Sequence, residues 1–160
     1  MTLGGGFEDT LASIAAIFQE RNIPYALMGG LAVAAWGAPR ATEDIDLLAD
    51  VGPSSELDAS LRATGFDVDV VCATRAWERE MVARSLRVRI AEGLEIPVIA
   101  LEDLIVLKLM AGGPADLADV ADLLERAGPL PELEKRAAAR GVSDLLRRVR
   151  AARGNLFQSE

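Results

Sequence analysis

A chain of 160 residues, 51% apolar and 26% charged, is long enough for one well-buried domain and too short for two ordinary ones. Histidine is absent and Cys72 is the only cysteine, which excludes histidine-based catalysis, an intrachain disulfide framework and a cysteine-built metal site. The net charge is −8, yet the segment from Lys135 to Arg153 carries +6 and leaves −14 on the remainder, so overall acidity does not exclude a local contact with a polyanion.

The start of the chain, MTLGGGFEDT, lacks the basic opening and apolar core of a signal peptide. The uncharged run Tyr25 to Pro39 falls short of the roughly 20 residues that span a bilayer, so a cytoplasmic protein with no membrane partner is expected. From Phe7 to Arg21, Leu11, Ile14, Ala15 and Phe18 recur at helical spacing, and Asn22 and Pro24 end the pattern. A short strand, Tyr25 to Met28, runs into Gly29-Gly30, and Leu31 to Trp36 suits a buried helix that Gly37 and Pro39 stop. DIDLLAD then has the period of a strand, Ser54 or Ser55 caps a helix to about Ala63, and FDVDVV forms a second acid-bearing strand. A short helix and then either a hairpin or a pair of strands fill Trp77 to Ile99. Four helices follow: ALEDLIVLKLMAGG, PADLADVADLLERAG, and stretches near 131–139 and 143–152. The expected class is α+β, with strands first and a helical C-terminal half, in a single domain over 1–160.

The acids in the strands carry the chemistry. Residues two apart on a strand share a face, so Asp44 and Asp46 lie roughly 7 Å apart at Cα and can converge on one small cation; Asp67 and Asp69 repeat the arrangement. The plainer alternative is the solvated face of an amphipathic strand. Against it, IDLLADV is apolar enough for an inner strand, where unpaired carboxylates are costly and a bound Mg²⁺ would neutralise them. Gly29-Gly30 is either a tight strand-to-helix turn or a place where backbone N–H groups approach a phosphate, and it is neither a dinucleotide fingerprint nor a P-loop.

Gly-Gly, a short helix and then Arg40-Ala41-Thr42-Glu43-Asp44-Ile45-Asp46-Leu47 together resemble the signature of the DNA polymerase β-like nucleotidyltransferase superfamily. Followed by LEDLIVLKLMAGGPADLADVADLL, the pattern is similar to the AbiEii-type branch, which includes bacterial toxins; the resemblance covers residues 25–125, with a helical extension at about 130–153 beyond it. It implies a small mixed β-sheet core and transfer of a nucleoside monophosphate from an NTP to a hydroxyl. It assigns the metal-binding and catalytic acids to Asp44, Asp46 and Asp69, with Asp67 as the fallback for the third, and two Mg²⁺ ions as cofactor. It also implies NTP contacts from Gly29, Gly30, Arg40, Thr42 and Lys108.

Each of those contacts has a plainer reading. Lys108 in LIVLKLM can be a snorkelling surface lysine, Arg40 can pair with Glu43, and Asp116 can cap the helix after Pro114. The acceptor implied by the resemblance is RNA, in particular tRNA, with the protein acting as a toxin that has a cognate antitoxin. A basic stripe of Arg140, Arg147 and Arg150 would suit RNA phosphates, or be an ordinary solvated helix face. The alternatives are a small-molecule enzyme of the aminoglycoside or lincosamide type, whose cationic substrates suit the −14 outside the basic segment, and a catalytically silent binding module of the same fold.

Overall fold

The computed structural model describes residues 5–42 and 44–156. Two compact units are present: the chain up to Ala35 together with Pro39–Ala100, and Trp36–Ala38 together with the chain from Leu101 onward. No helix among the described residues is long and apolar enough to cross a membrane.

The first unit is built on a five-stranded sheet in the order β3-β2-β1-β5-β4. Its strands are β1 (Tyr25–Met28), β2 (Ile45–Ala49), β3 (Val68–Cys72), β4 (Leu86–Ala91) and β5 (Leu94–Val98). β1 pairs antiparallel with β2 and parallel with β5, β2 pairs parallel with β3, and β4 and β5 form an antiparallel hairpin whose turn holds Gly93 at φ 74°. The mixed sheet therefore places β1, β2 and β5 in the interior and β3 and β4 at the edges.

Sequence explains this order. Ala26 and Leu27 of β1, and Ile45, Leu47, Leu48 and Ala49 of β2, are all buried, as inner strands covered on both faces require. β3 alternates half-buried Val68, Val70 and Cys72 with exposed Asp69 and Val71, the pattern of an edge. Helix α1 (Gly5–Glu20) buries Leu11, Ile14 and Phe18 at the expected spacing, and the Phe18 ring stacks on Tyr25 at 4.4 Å between centroids. Helix α2 (Gly29–Ala35) begins directly at the end of β1, two residues before the expected start, and packs on β1 and β2. Helix α3 (Ser55–Arg62) is capped by Ser54, whose side chain accepts from the Leu57 N–H at 3.3 Å.

Helix α4 (Ala76–Ala83) starts at a buried acid. The Glu78 carboxylate accepts from the backbone N–H groups of Thr74 at 2.9 Å and Arg75 at 2.8 Å, and pairs with the Arg75 guanidinium at 3.1 Å. Burial alone would raise its pKa, but those bonds outweigh burial and hold the carboxyl below its ordinary range.

The second unit is helical: α5 (Leu101–Ala111), α6 (Pro114–Arg126), α7 (Leu133–Ala139) and α8 (Ser143–Leu156). Helix α5 is apolar nearly all round, with Leu104, Ile105, Val106 and Leu109 buried, and its few charges are paired to neighbouring helices. Arg136 of α7 lies 3.3 Å from both Glu102 and the fully buried Asp103, and Glu102 also accepts from the Glu132 N–H at 3.1 Å.

Candidate active site

β2 is buried at every position but one. That exception is Asp46, half-buried in the middle of an apolar strand. Across the parallel ladder its register partner is Asp69 of β3, and across the antiparallel ladder it is Met28, the last residue of β1. Register partners share a face of the sheet, so two carboxylates from different strands stand side by side where β1 gives way to α2.

Gly29 makes room for them. Its φ of 67° is left-handed, and a Cβ there would stand 2.8 Å from the carboxylate carbon of Asp46 and closer still to Oδ2. Gly30 plays the same part for Thr42, whose Cβ and Oγ1 would both lie 3.1 Å from an added Cβ. The Thr42 hydroxyl in turn accepts from the Asp44 N–H at 3.4 Å, so the second glycine seats the turn that delivers Asp44. The pair Gly29-Gly30 is thus a steric seat for Asp46 and Thr42.

Asp44 lies just before β2 and is exposed, and Asp67 likewise precedes β3, with its carbonyl accepting from the Ile45 N–H at 3.1 Å. Asp69 is therefore the member of the second pair that stands opposite Asp46. Among the described residues no three carboxylates or thiols are gathered as a metal-holding group. The donor set is nonetheless the right chemistry for Mg²⁺: Asp46 and Asp69 are acidic oxygen donors brought to one spot by the sheet, and Asp44 follows on the adjoining turn.

The groove beside β3 extends the acidic surface. About 350 Å³ in volume, it is lined by Asp58, Arg62, Phe66, Asp67 and Asp69, among others. Asp58, on α3, was not singled out in the sequence because a lone acid on an exposed helix face carries no signal.

Lys108 and Asp116 depart from their simplest expectations. The Lys108 ammonium belongs to the second unit, is 12% exposed, and sits 3.1 Å from Asp116 and 3.0 Å from the buried Asp119. It is no snorkelling surface lysine. Asp116 does not cap α6 through its side chain, whose N-cap is Gly113; it is a partner of Lys108. A pairing of Arg40 with Glu43 lies outside the described residues, and Arg40 itself is exposed.

The basic segment is also less of a stripe than its spacing implies. Arg140 ends α7 while Arg147 and Arg150 lie on α8, so the three do not share one helix face. Arg147 pairs with Asp144, Arg150 with Glu134, Lys135 with Glu132 at 3.6 Å, and Arg136 is committed to α5.

Three comparisons bear on the arrangement. No curated protein sequence matches the chain. Among solved structures, the chain resembles an antigenic nucleotidyltransferase-like protein from Paracoccidioides brasiliensis, at TM-score 0.54 and 19% identity over 90% of this chain and 93% of that one. It also resembles the antibiotic-resistance factor ANT(2'')-Ia. The solution structure gives TM-score 0.53 and 17% identity over 99% of this chain and 100% of that one. The crystal structure of that factor with adenylyl-2''-tobramycin gives 0.51 and 20% over 83% and 95%. At these identities the likeness is one of fold. The family model described as nucleotidyltransferase of unknown function (DUF6036) matches residues 7–151, nearly the whole chain, and the protein is a member of that nucleotidyltransferase family.

Proposed function

We propose that the Asp46–Asp69 pair is the catalytic centre of a metal-dependent transfer of a nucleoside monophosphate from an NTP to a hydroxyl acceptor. The observation that supports it most is the register that sets two carboxylates of different strands together beside Gly29. Phosphoryl-type transfer needs positioning and charge neutralisation more than a protein nucleophile, which suits a site with no histidine and no nearby thiol ligand set. Asp44, Asp46 and Asp69 would hold Mg²⁺, which supplies neutralisation of the triphosphate charge. Asp69, exposed at the sheet edge, is placed to accept the proton of the incoming hydroxyl. Gly29, Gly30, Arg40, Thr42 and Lys108 are proposed to contact the nucleotide; the local account of the two glycines and Thr42 is that they fix Asp46 and Asp44.

For the acceptor, the groove in which Asp58, Asp67 and Asp69 outweigh Arg62 favours a small cationic polyhydroxyl molecule, and a fold neighbour carries an adenylylated tobramycin. The second reading is the AbiEii-type toxin with tRNA as acceptor and a protein antitoxin as partner. It rests on the motif resemblance and on the C-terminal arginines, among which exposed Arg148 has no ion pair with a described residue. Incubation with NTPs labelled at the α-phosphate, Mg²⁺, an aminoglycoside panel, total RNA and cell lysate separates the two. Label on an aminoglycoside supports the first reading, label on RNA supports the second, and no label in any fraction, lysate included, refutes nucleotidyl transfer.

A further inference from the structure

A cavity of about 630 Å³ opens in the first unit away from the acids, between the ends of α1 and α4 and the start of β1. That size is within the range of small-molecule sites. Its walls are apolar where Ala15, Ile23 and Pro97 line it, over the buried Phe18 and Val82, and polar where Gln19, Tyr25, Arg87 and Glu95 do. Tyr25 opens β1, three residues before Met28, the register partner of Asp46, so roughly 10 Å of strand separates the cavity from the proposed catalytic pair.

The polar side presents donors. The Tyr25 hydroxyl has no hydrogen-bond partner among the described residues, and burial raises its pKa to about 12 against a lowering influence from Arg87, so the phenol stays protonated as a donor. Arg87 spends part of its fork on Glu95, through Nε to the carboxylate at 3.5 Å and Nη2 to the Glu95 carbonyl at 3.2 Å. A guanidinium carries five N–H donors, so others are left for a ligand. An apolar body is therefore matched by the walls and an acceptor group by Tyr25 and Arg87. Glu95 lines the same space but is engaged by Arg87 at 3.5 Å, which leaves a cation no unpaired carboxylate, and a neutral amide cannot use the guanidinium fork as a carboxylate does.

We propose that this cavity is a second ligand site that takes a small aromatic carboxylate, its ring against Ala15, Ile23 and Pro97 and its carboxylate between the Tyr25 hydroxyl and the Arg87 guanidinium. Glu95 is then an internal competitor for Arg87, which tunes the affinity downward.

Calorimetry on the whole chain with naphthalene carboxylate, its carboxamide and the corresponding methylammonium compound tests it. One equivalent of carboxylate should bind, about tenfold or more tighter than the carboxamide, with the cation weakest. Arg87→Gln should erase that preference, Tyr25→Phe should weaken the carboxylate severalfold, and Glu95→Gln should strengthen it. Asp46→Asn should leave the affinity unchanged. No binding of the carboxylate, equal affinity for acid and amide, a preference that survives Arg87→Gln, or loss of binding in Asp46→Asn overturns the proposal.

Discussion

Replacing Gly29 with alanine separates the two things that glycine does. The first is conformational: at φ 67° an L-residue costs about 1–2 kcal/mol of stability. The second is steric: the new Cβ stands 2.8 Å from the Asp46 carboxylate carbon where ordinary contact begins at 3.4 Å, so the carboxylate must retreat by more than half an ångström. Gly65 supplies the control, because it has φ 78° in the same unit and open space where a Cβ would go. Both variants should lose about 1–2 kcal/mol by urea denaturation, since both carry the conformational penalty. Only Gly29→Ala should also lose transfer of labelled nucleotide, by about tenfold to a hundredfold, the usual consequence of misplacing a catalytic group by a fraction of an ångström to an ångström. Equal activity in the two variants would refute the seating of Asp46 by Gly29.

Lys108→Ala should destabilise the protein by about 3–5 kcal/mol in chemical denaturation, because Asp116 and the buried Asp119 lose their shared cation. The NTP contact proposed for Lys108 adds a raised KM, and a destabilised variant with unchanged KM would confine the residue to its structural pairing. Asp69→Asn should cost turnover far more than NTP affinity, and the same phenotype in Asp67→Asn instead would mean that the β2–β3 register does not select the working acid. Glu78→Gln should cost about 2 kcal/mol at neutral pH. Because the folded-state pKa of Glu78 is lowered, its contribution is present above the unfolded carboxyl pKa and fades as pH falls through the folded value, so wild type and variant should converge in acid; a gap that does not change with pH would contradict this.

Much of the fold could be read from the residues. Leu11, Ile14 and Phe18 gave α1, a serine cap at 54 or 55 gave α3, with Ser54 the one used, and the uninterrupted apolar run around Asp46 marked an inner strand. Period-two alternation also told that Asp44 and Asp46 share parity, as do Asp67 and Asp69. It could not tell which pair members stand opposite each other, because register is set by the ladder between strands, and the ladder matches Asp46 to Asp69. The partner of Lys108 was hidden for a similar reason. Asp116 and Asp119 are three apart on a helix face, but the cation facing them is fixed by the packing of α5 on α6, and a cap was the nearest local use for Asp116. The two C-terminal helices were legible, but not their ion pairs: Arg150 of α8 meets Glu134 of α7 across the turn at Gly141, where φ is 72°, a contact that spacing within one helix does not show. Nothing in sequence order joins Tyr25 to Arg87 and Glu95, which meet only through the sheet.

The central claim is that the two register-matched carboxylates do the chemistry. It is tested most directly by Mg²⁺-dependent transfer of labelled nucleotide in wild type beside Asp46→Asn, with the fold of each checked by circular dichroism. Loss of at least about a hundredfold in transfer by a variant that folds as wild type does is the expected result. Transfer at the wild-type rate by folded Asp46→Asn would contradict it.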